Sequence, residues 1–167
     1  MKRLNDTLAK LEPARKGGRP ALMTHVVLGF PTLRDSIDIV RAMADSGAAI
    51  IELQIPFSDP MADGPTIMAA NEAALTAGTT PTDCMKAMEQ LAGELEVPLL
   101  FMSYYNIIFA YQQQGGADAV RSFCRDAAAA GAQGLIVPDV PPEENAEGYW
   151  DVTREHGLVP VPLVSPV

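Results

Sequence analysis

Five apolar runs, at residues 21–28, 48–55, 98–103, 134–138 and 158–164, stand apart from longer stretches in which apolar positions recur with a helical period. Each run is short and nearly continuous, the pattern of a parallel strand covered on both faces. Residues 36–43 place Ile37 and Val40, followed by Ala44, on one stripe and Asp38 and Arg41, followed by Asp45, on another, which predicts an amphipathic helix closed by Gly47. A second helix is expected over 66–76, ahead of Gly78. Thr80-Pro81-Thr82-Asp83 starts a third, running to about Leu95. The Ala-rich residues 118–130 form a fourth, stopped by Gly131, and Pro142-Glu143-Glu144 opens a last one with acids at its positive end and Gly157 beyond its final turn. Gln112-Gln113-Gln114-Gly115-Gly116 predicts only a loop.

Strand and helix in regular alternation mean parallel β/α units joined by right-handed crossovers. Two architectures fit, a (β/α)8 barrel and a doubly wound open sheet. The second usually carries a Gly-rich phosphate loop after its first strand, and Leu28-Gly29-Phe30-Pro31-Thr32 lacks that spacing. In a barrel, carboxylates just past several strand ends converge on one mouth, and Glu52, Asp59, Asp63 and Asp139 all end or follow strands. The expected fold class is therefore α/β of the TIM-barrel family, with residues 1–167 as one domain.

Composition narrows the function classes. With 48% hydrophobic residues and a net charge of −9, the chain is expected to be soluble and globular, without general affinity for nucleic acid. Its one basic cluster, Arg15, Lys16 and Arg19, is short and broken by glycines. No window approaches the ~18 apolar residues of a membrane span, and residues 1–19 lack a signal-peptide core, which points to the cytoplasm. Cys84 and Cys124 are far apart, and His25 and His156 are isolated, so neither a disulfide framework nor a metal site is expected, and each histidine reads as packing or surface.

The chemistry concentrates in residues 51–66. Glu52 lies inside an apolar strand, and the following loop holds Asp59 and Asp63 between Pro56, Pro60 and Pro65. Burying an ionised carboxylate without partners costs several kcal/mol or raises its pKa by as much as ~3–5 units, so a chain keeps one chiefly where chemistry or a specific partner uses it. A strand face open to solvent, or an arginine partner, would also accommodate Glu52. Asp59 can equally be a turn residue capping the helix that begins near Thr66.

These residues resemble the tryptophan synthase alpha subunit family. The resemblance rests on Ile55-Pro-Phe-Ser-Asp-Pro-Met-Ala-Asp-Gly-Pro65, on Leu28-Gly-Phe-Pro31, on Met102-Ser-Tyr-Tyr-Asn106 and on Ile136-Val-Pro-Asp-Val-Pro-Pro142, in order along the chain, with an opening helix around residues 4–11. It implies a barrel that cleaves indole-3-glycerol phosphate to indole and glyceraldehyde 3-phosphate without a cofactor of its own. It also implies Glu52 as catalytic acid/base and Asp63 as the carboxylate that holds the indole N–H. Met102, Tyr104 and Ile136 would wall the indole ring, though ordinary barrel core explains them equally. Pro56, Asp59, Pro60 and Asn106 would face a beta subunit that carries pyridoxal phosphate, in an alpha2beta2 assembly.

The sequence departs from that pattern in places. Gln54 replaces an expected glycine, Phe30 stands where an acidic residue is common, and Ile107 follows Asn106 where some relatives have proline. A full barrel of about 250 residues has eight strands, whereas five are counted before Val167, with the phosphate-gripping loops and the lid of the family beyond them. Truncation after strand 5 implies a fragment, or a partner or second copy that completes the barrel. A non-catalytic partner-binding module, or another phosphosugar aldolase or isomerase, remains an alternative to the lyase.

Overall fold

In the computed structural model, residues 4, 5, 9, 20–60, 63–113 and 115–164 are described. Five parallel strands, β1 (Met23–Val27), β2 (Ile50–Gln54), β3 (Leu99–Met102), β4 (Gly134–Ile136) and β5 (Val159–Val161), form one sheet in the order of the sequence. That order separates the two architectures considered above, because a doubly wound sheet reverses its strand order at a switch point and this sheet never does. Sequential right-handed crossovers put most of the connecting helices on one side, as in a sector of a barrel. The strands are shorter than their apolar runs, since the residues at either end pack in loops.

The helices are α1 (Leu33–Asp45), α2 (Pro65–Thr76), α3 (Pro81–Glu94), α4 (Tyr105–Phe109), α5 (Gly116–Ala129) and α6 (Tyr149–Glu155). Thr32 caps α1, accepting from the Asp35 N–H at 3.1 Å. Thr80 and Asp83 form a reciprocal capping box on α3, and its hydrogen bonds to Thr80 hold the Asp83 carboxyl below the usual range. Two expectations change. α4 was not foreseen; its first N–H, on Tyr105, is held by both Asp139 oxygens at 2.9 and 3.0 Å. The last helix begins at Tyr149 and not at Pro142, because the Asn145 side chain accepts from the Trp150 N–H at 3.0 Å and Gly148 takes the left-handed conformation before the first turn. Residues 111–113, overlapping the start of the expected loop, make a short 3-10 turn.

Two apolar clusters lie on opposite faces of the sheet. Val26, Ile51, Leu53, Leu99, Phe101 and Leu135 pack against the helices, through Val40, Met88, Leu91 and Phe123 among others. Leu100, Met102, Tyr104 and Ile136 cluster on the other, concave face with Ile50, Phe57, Val159 and Val161. Leu4 joins them, and its N–H donates to Gln133 Oε1 at 2.6 Å. The rest of the opening helix expected over 4–11 falls outside the described residues, apart from residues 5 and 9.

Strand register sorts the concave face into two rungs. One holds His25, Glu52, Leu100, Gly134 and Val159; the next, nearer the carboxyl ends, holds Val27, Gln54, Met102, Ile136 and Val161. Gly134 has to be glycine, since a Cβ there would come within 2.6 Å of the Val159 carbonyl oxygen. α2 reaches the β1 end of the face, where Ile67, Ala70 and Ala74 pack on Val27. The loop after β1 is tied down at Gly29, whose φ of +93° and proximity to Thr79 exclude a side chain.

Candidate active site

Glu52 and Gln54 project from alternate positions of β2 onto the concave face, because side chains two apart on a strand share a face. Glu52 is half-buried. Burial pushes its carboxyl above the usual carboxylate range; the nearby His25 pulls it down and the nearby Asp63 pushes it further up. His25 is thus not the isolated histidine that the sequence suggested. Parallel register sets it directly beside Glu52, and its Nε2 lies 2.7 Å from Gln54 Oε1. Nothing in the linear sequence marks that juxtaposition, since it depends on which residues of β1 and β2 pair.

Asp63 comes back over the strand end from the loop after β2. Its Oδ2 accepts from Gln54 Nε2 at 2.9 Å and from the Tyr104 hydroxyl at 3.4 Å. Tyr104 is buried and stacks on Phe57, with ring centroids 4.7 Å apart and planes at 25°. Met102 and Ile136 are buried beside it in the concave cluster. The structure therefore gathers five of the sequence-selected residues, Glu52, Asp63, Met102, Tyr104 and Ile136, at the carboxyl ends of β2, β3 and β4. It adds three that sequence reasoning passed over or treated as a departure: His25, Gln54 and Asn71. Asn71, fully buried in α2, accepts from the Phe57 N–H at 2.9 Å and donates to the Ile67 carbonyl at 2.9 Å, so it pins the start of the loop.

The residues selected as a partner surface divide. Asp59 and Asn106 are exposed, whereas Pro56 and Pro60 are buried, Pro60 in the lining of an open groove with Ser58, Pro65, Met68 and Glu72. Asp59 accepts from the Ser58 hydroxyl at 2.6 Å, and Gly64 occupies the cap position of α2 without a side-chain bond, so Asp59 is not the cap of that helix. Asp139 does not join Glu52 and Asp63; it anchors α4 instead. Phe30 stands 41% exposed where an acid was expected.

Charge is lopsided at this end of the sheet. The segments after the strands, residues 28–32, 55–64, 103–104, 137–148 and 162–164, contain Asp59, Asp63, Asp139, Glu143, Glu144 and Glu147 and no lysine or arginine. Among the described residues, no group of three or more His, Cys, Asp or Glu is placed to hold a metal ion. No described helix is long and apolar enough to cross a membrane. The arrangement can move a proton at Glu52, accept a hydrogen bond at Asp63 and offer a flat apolar group a wall of Met102, Ile136 and aromatic rings.

Known proteins resemble this chain in sequence and fold. A family model described as tryptophan synthase alpha chain matches residues 11–167. The tryptophan synthase alpha chain of Syntrophotalea carbinolica is 45% identical over 145 residues, which are 87% of this chain and 54% of that protein. The corresponding chain of Chloroflexus aggregans is 43% identical over 167 residues, 99% of this chain and 58% of its own. A crystal structure of tryptophan synthase from M. tuberculosis in an aminoacrylate-bound form superposes with a TM-score of 0.84 at 35% identity, covering 97% of this chain and 61% of that one. The chain thus spans a little over half the length of the relatives it matches.

Proposed function

This chain belongs to the tryptophan synthase alpha chain family, and from that premise we propose that its strand-end site serves the aldol cleavage of indole-3-glycerol phosphate to indole and glyceraldehyde 3-phosphate. The observation that carries the proposal is the pairing of a strand-borne carboxyl raised by burial, Glu52, with a loop carboxylate held in place by hydrogen bonds, Asp63. In this cleavage indole C3 gains a proton, the glycerol hydroxyl loses one, and the bond between C3 and the glycerol carbon breaks, its electrons returning to the ring. A carboxyl with a raised pKa is suited to giving and taking those protons near neutrality. A carboxylate on the indole N–H stabilises the cationic indolenine formed when C3 is protonated. Met102, Ile136, Tyr104 and Phe57 supply the apolar wall for the ring.

The residues present fit the indole end of the substrate. The strand-end segments carry no basic side chain, so any hold they have on the phosphate would come from backbone N–H donors. We place the reaction in L-tryptophan biosynthesis in the cytoplasm. The exposed Asp59 and Asn106, with the neighbouring Pro56 and Pro60, would meet a beta subunit that brings the pyridoxal phosphate of the following reaction, in an alpha2beta2 assembly.

The test is indole release from indole-3-glycerol phosphate by the protein that carries this sequence. Glu52→Gln is expected to lower turnover by about 10²–10⁴-fold while leaving substrate binding in place. Asp63→Asn should cost nearly as much. Turnover unchanged in either variant removes that residue from the mechanism.

A further inference from the structure

Gln54 is fully buried at the carboxyl end of β2, and its amide has two donor hydrogens and an acceptor oxygen to satisfy. The direction of each bond can be assigned outward from a group that has no choice. The Phe57 backbone N–H can only donate, so Asn71 faces it with Oδ1, and Asn71 Nδ2 in turn donates to the Ile67 carbonyl. Gln54 then has to turn its amino group toward two acceptors, Asp63 Oδ2 at 2.9 Å and Asn71 Oδ1 at 3.5 Å. Its Oε1 is left to face His25 Nε2 at 2.7 Å, which requires the proton of the His25 ring to sit on Nε2.

We propose that Gln54 is a positioning residue for Asp63, held in orientation by His25 acting as an Nε2–H donor. The imidazole fixes the amide, and the amide fixes the carboxylate over the strand end, with Asn71 tying the same amide to the start of the loop. The glycine expected at position 54 could do none of this, so the glutamine found there supplies a clamp. The catalytic consequence rests on the role proposed for Asp63; the hydrogen-bond chain does not.

The first experiment needs no substrate. Long-range 1H–15N spectra of histidine-labelled protein at pH about 9, above the ordinary imidazole range, report the tautomer of each ring. His156 serves as an internal contrast, because its Nδ1 lies 2.9 Å from the Val152 carbonyl and so carries the proton there. The expected spectrum shows opposite tautomers, Nε2–H for His25 and Nδ1–H for His156, with His156→Gln giving the assignment. A His25 ring protonated on Nδ1, or an even mixture, overturns the proposal.

Gln54→Leu is the second experiment. It should turn His25 into a tautomer mixture, shift the Asp63 carboxyl carbon, and lower kcat/KM by about tenfold, in line with a misplaced rather than a missing group. In an Asp63→Asn background the same replacement should have no further effect on rate. Unchanged His25 and Asp63 signals, or an equal rate loss in both backgrounds, would overturn it. If Gln54→Leu does not fold, His25→Phe replaces it, read at the Gln54 side-chain amide signals, which the proposal requires to move. A protein that releases no indole but shows the predicted tautomers and the Asp63 shift refutes the proposed reaction and leaves the clamp standing.

Discussion

The two halves of the concave face share one register and differ in chemistry. On β1 and β2 the rungs carry three polar residues, His25, Glu52 and Gln54, beside the apolar Val27; on β3 and β4 the same rungs carry only Leu100, Met102, Gly134 and Ile136. The polar half is workable because its groups answer one another: His25 to Gln54, Gln54 to Asp63, and Tyr104 reaching across from the β3 side. The apolar half has no such network, and its residues gain by leaving water. A barrel sector can thus hold proton chemistry and a hydrophobic wall a single strand apart, provided the polar side is internally satisfied.

Substitutions put that contrast to the test. Ile136→Asp should have the largest effect, because it buries a carboxylate in the half without partners; the expected loss is several kcal/mol, read as a lowered urea midpoint. A stability equal to that of the unmutated chain would show that the apolar half tolerates charge as the other half does. Asp139→Ala removes the cap that joins the two loops bordering the apolar half. It should cost about 0.5–2 kcal/mol, as the loss of an exposed helix cap does, and speed hydrogen exchange at the Tyr105 amide; a Tyr105 amide that exchanges at the original rate counts against this account of α4. The smallest effect belongs to Glu52→Gln, read as stability. A carboxyl whose pKa is raised on folding favours the folded state at low pH, and that contribution is lost as pH rises through the raised value. The Gln variant should therefore gain on the unmutated chain as pH rises from the ordinary carboxyl range through the raised value, by a few degrees of melting temperature at most. A difference independent of pH would remove burial as the cause of the shift.

Much of the fold was legible because its signals are local. The nearly continuous apolar run around Ile51 and Leu53 marked β2, and Thr80-Pro81-Thr82-Asp83 announced the start of α3 within a residue. α4 escaped because five residues show no period and its cap, Asp139, arrives from the loop after the next strand. The acids of Pro142-Glu143-Glu144 imitated a helix start, while the true start depends on Asn145 and the left-handed Gly148. At the site, Glu52 and Asp63 declared themselves by charge in apolar or proline-bound surroundings. His25 could not, for only strand pairing brings it to Glu52, and Gln54 read only as the replacement of an expected glycine because its partners come from β1, the loop and α2.

Because His25 and Gln54 each supply what the other lacks, neither can be exchanged alone without leaving a buried donor or acceptor stranded, at about 1–3 kcal/mol. A lineage that abandons this arrangement has to cross that weakened intermediate or alter both codons together. Positions 25 and 54 are therefore expected to drift as a single inherited unit, although 29 residues of chain separate them.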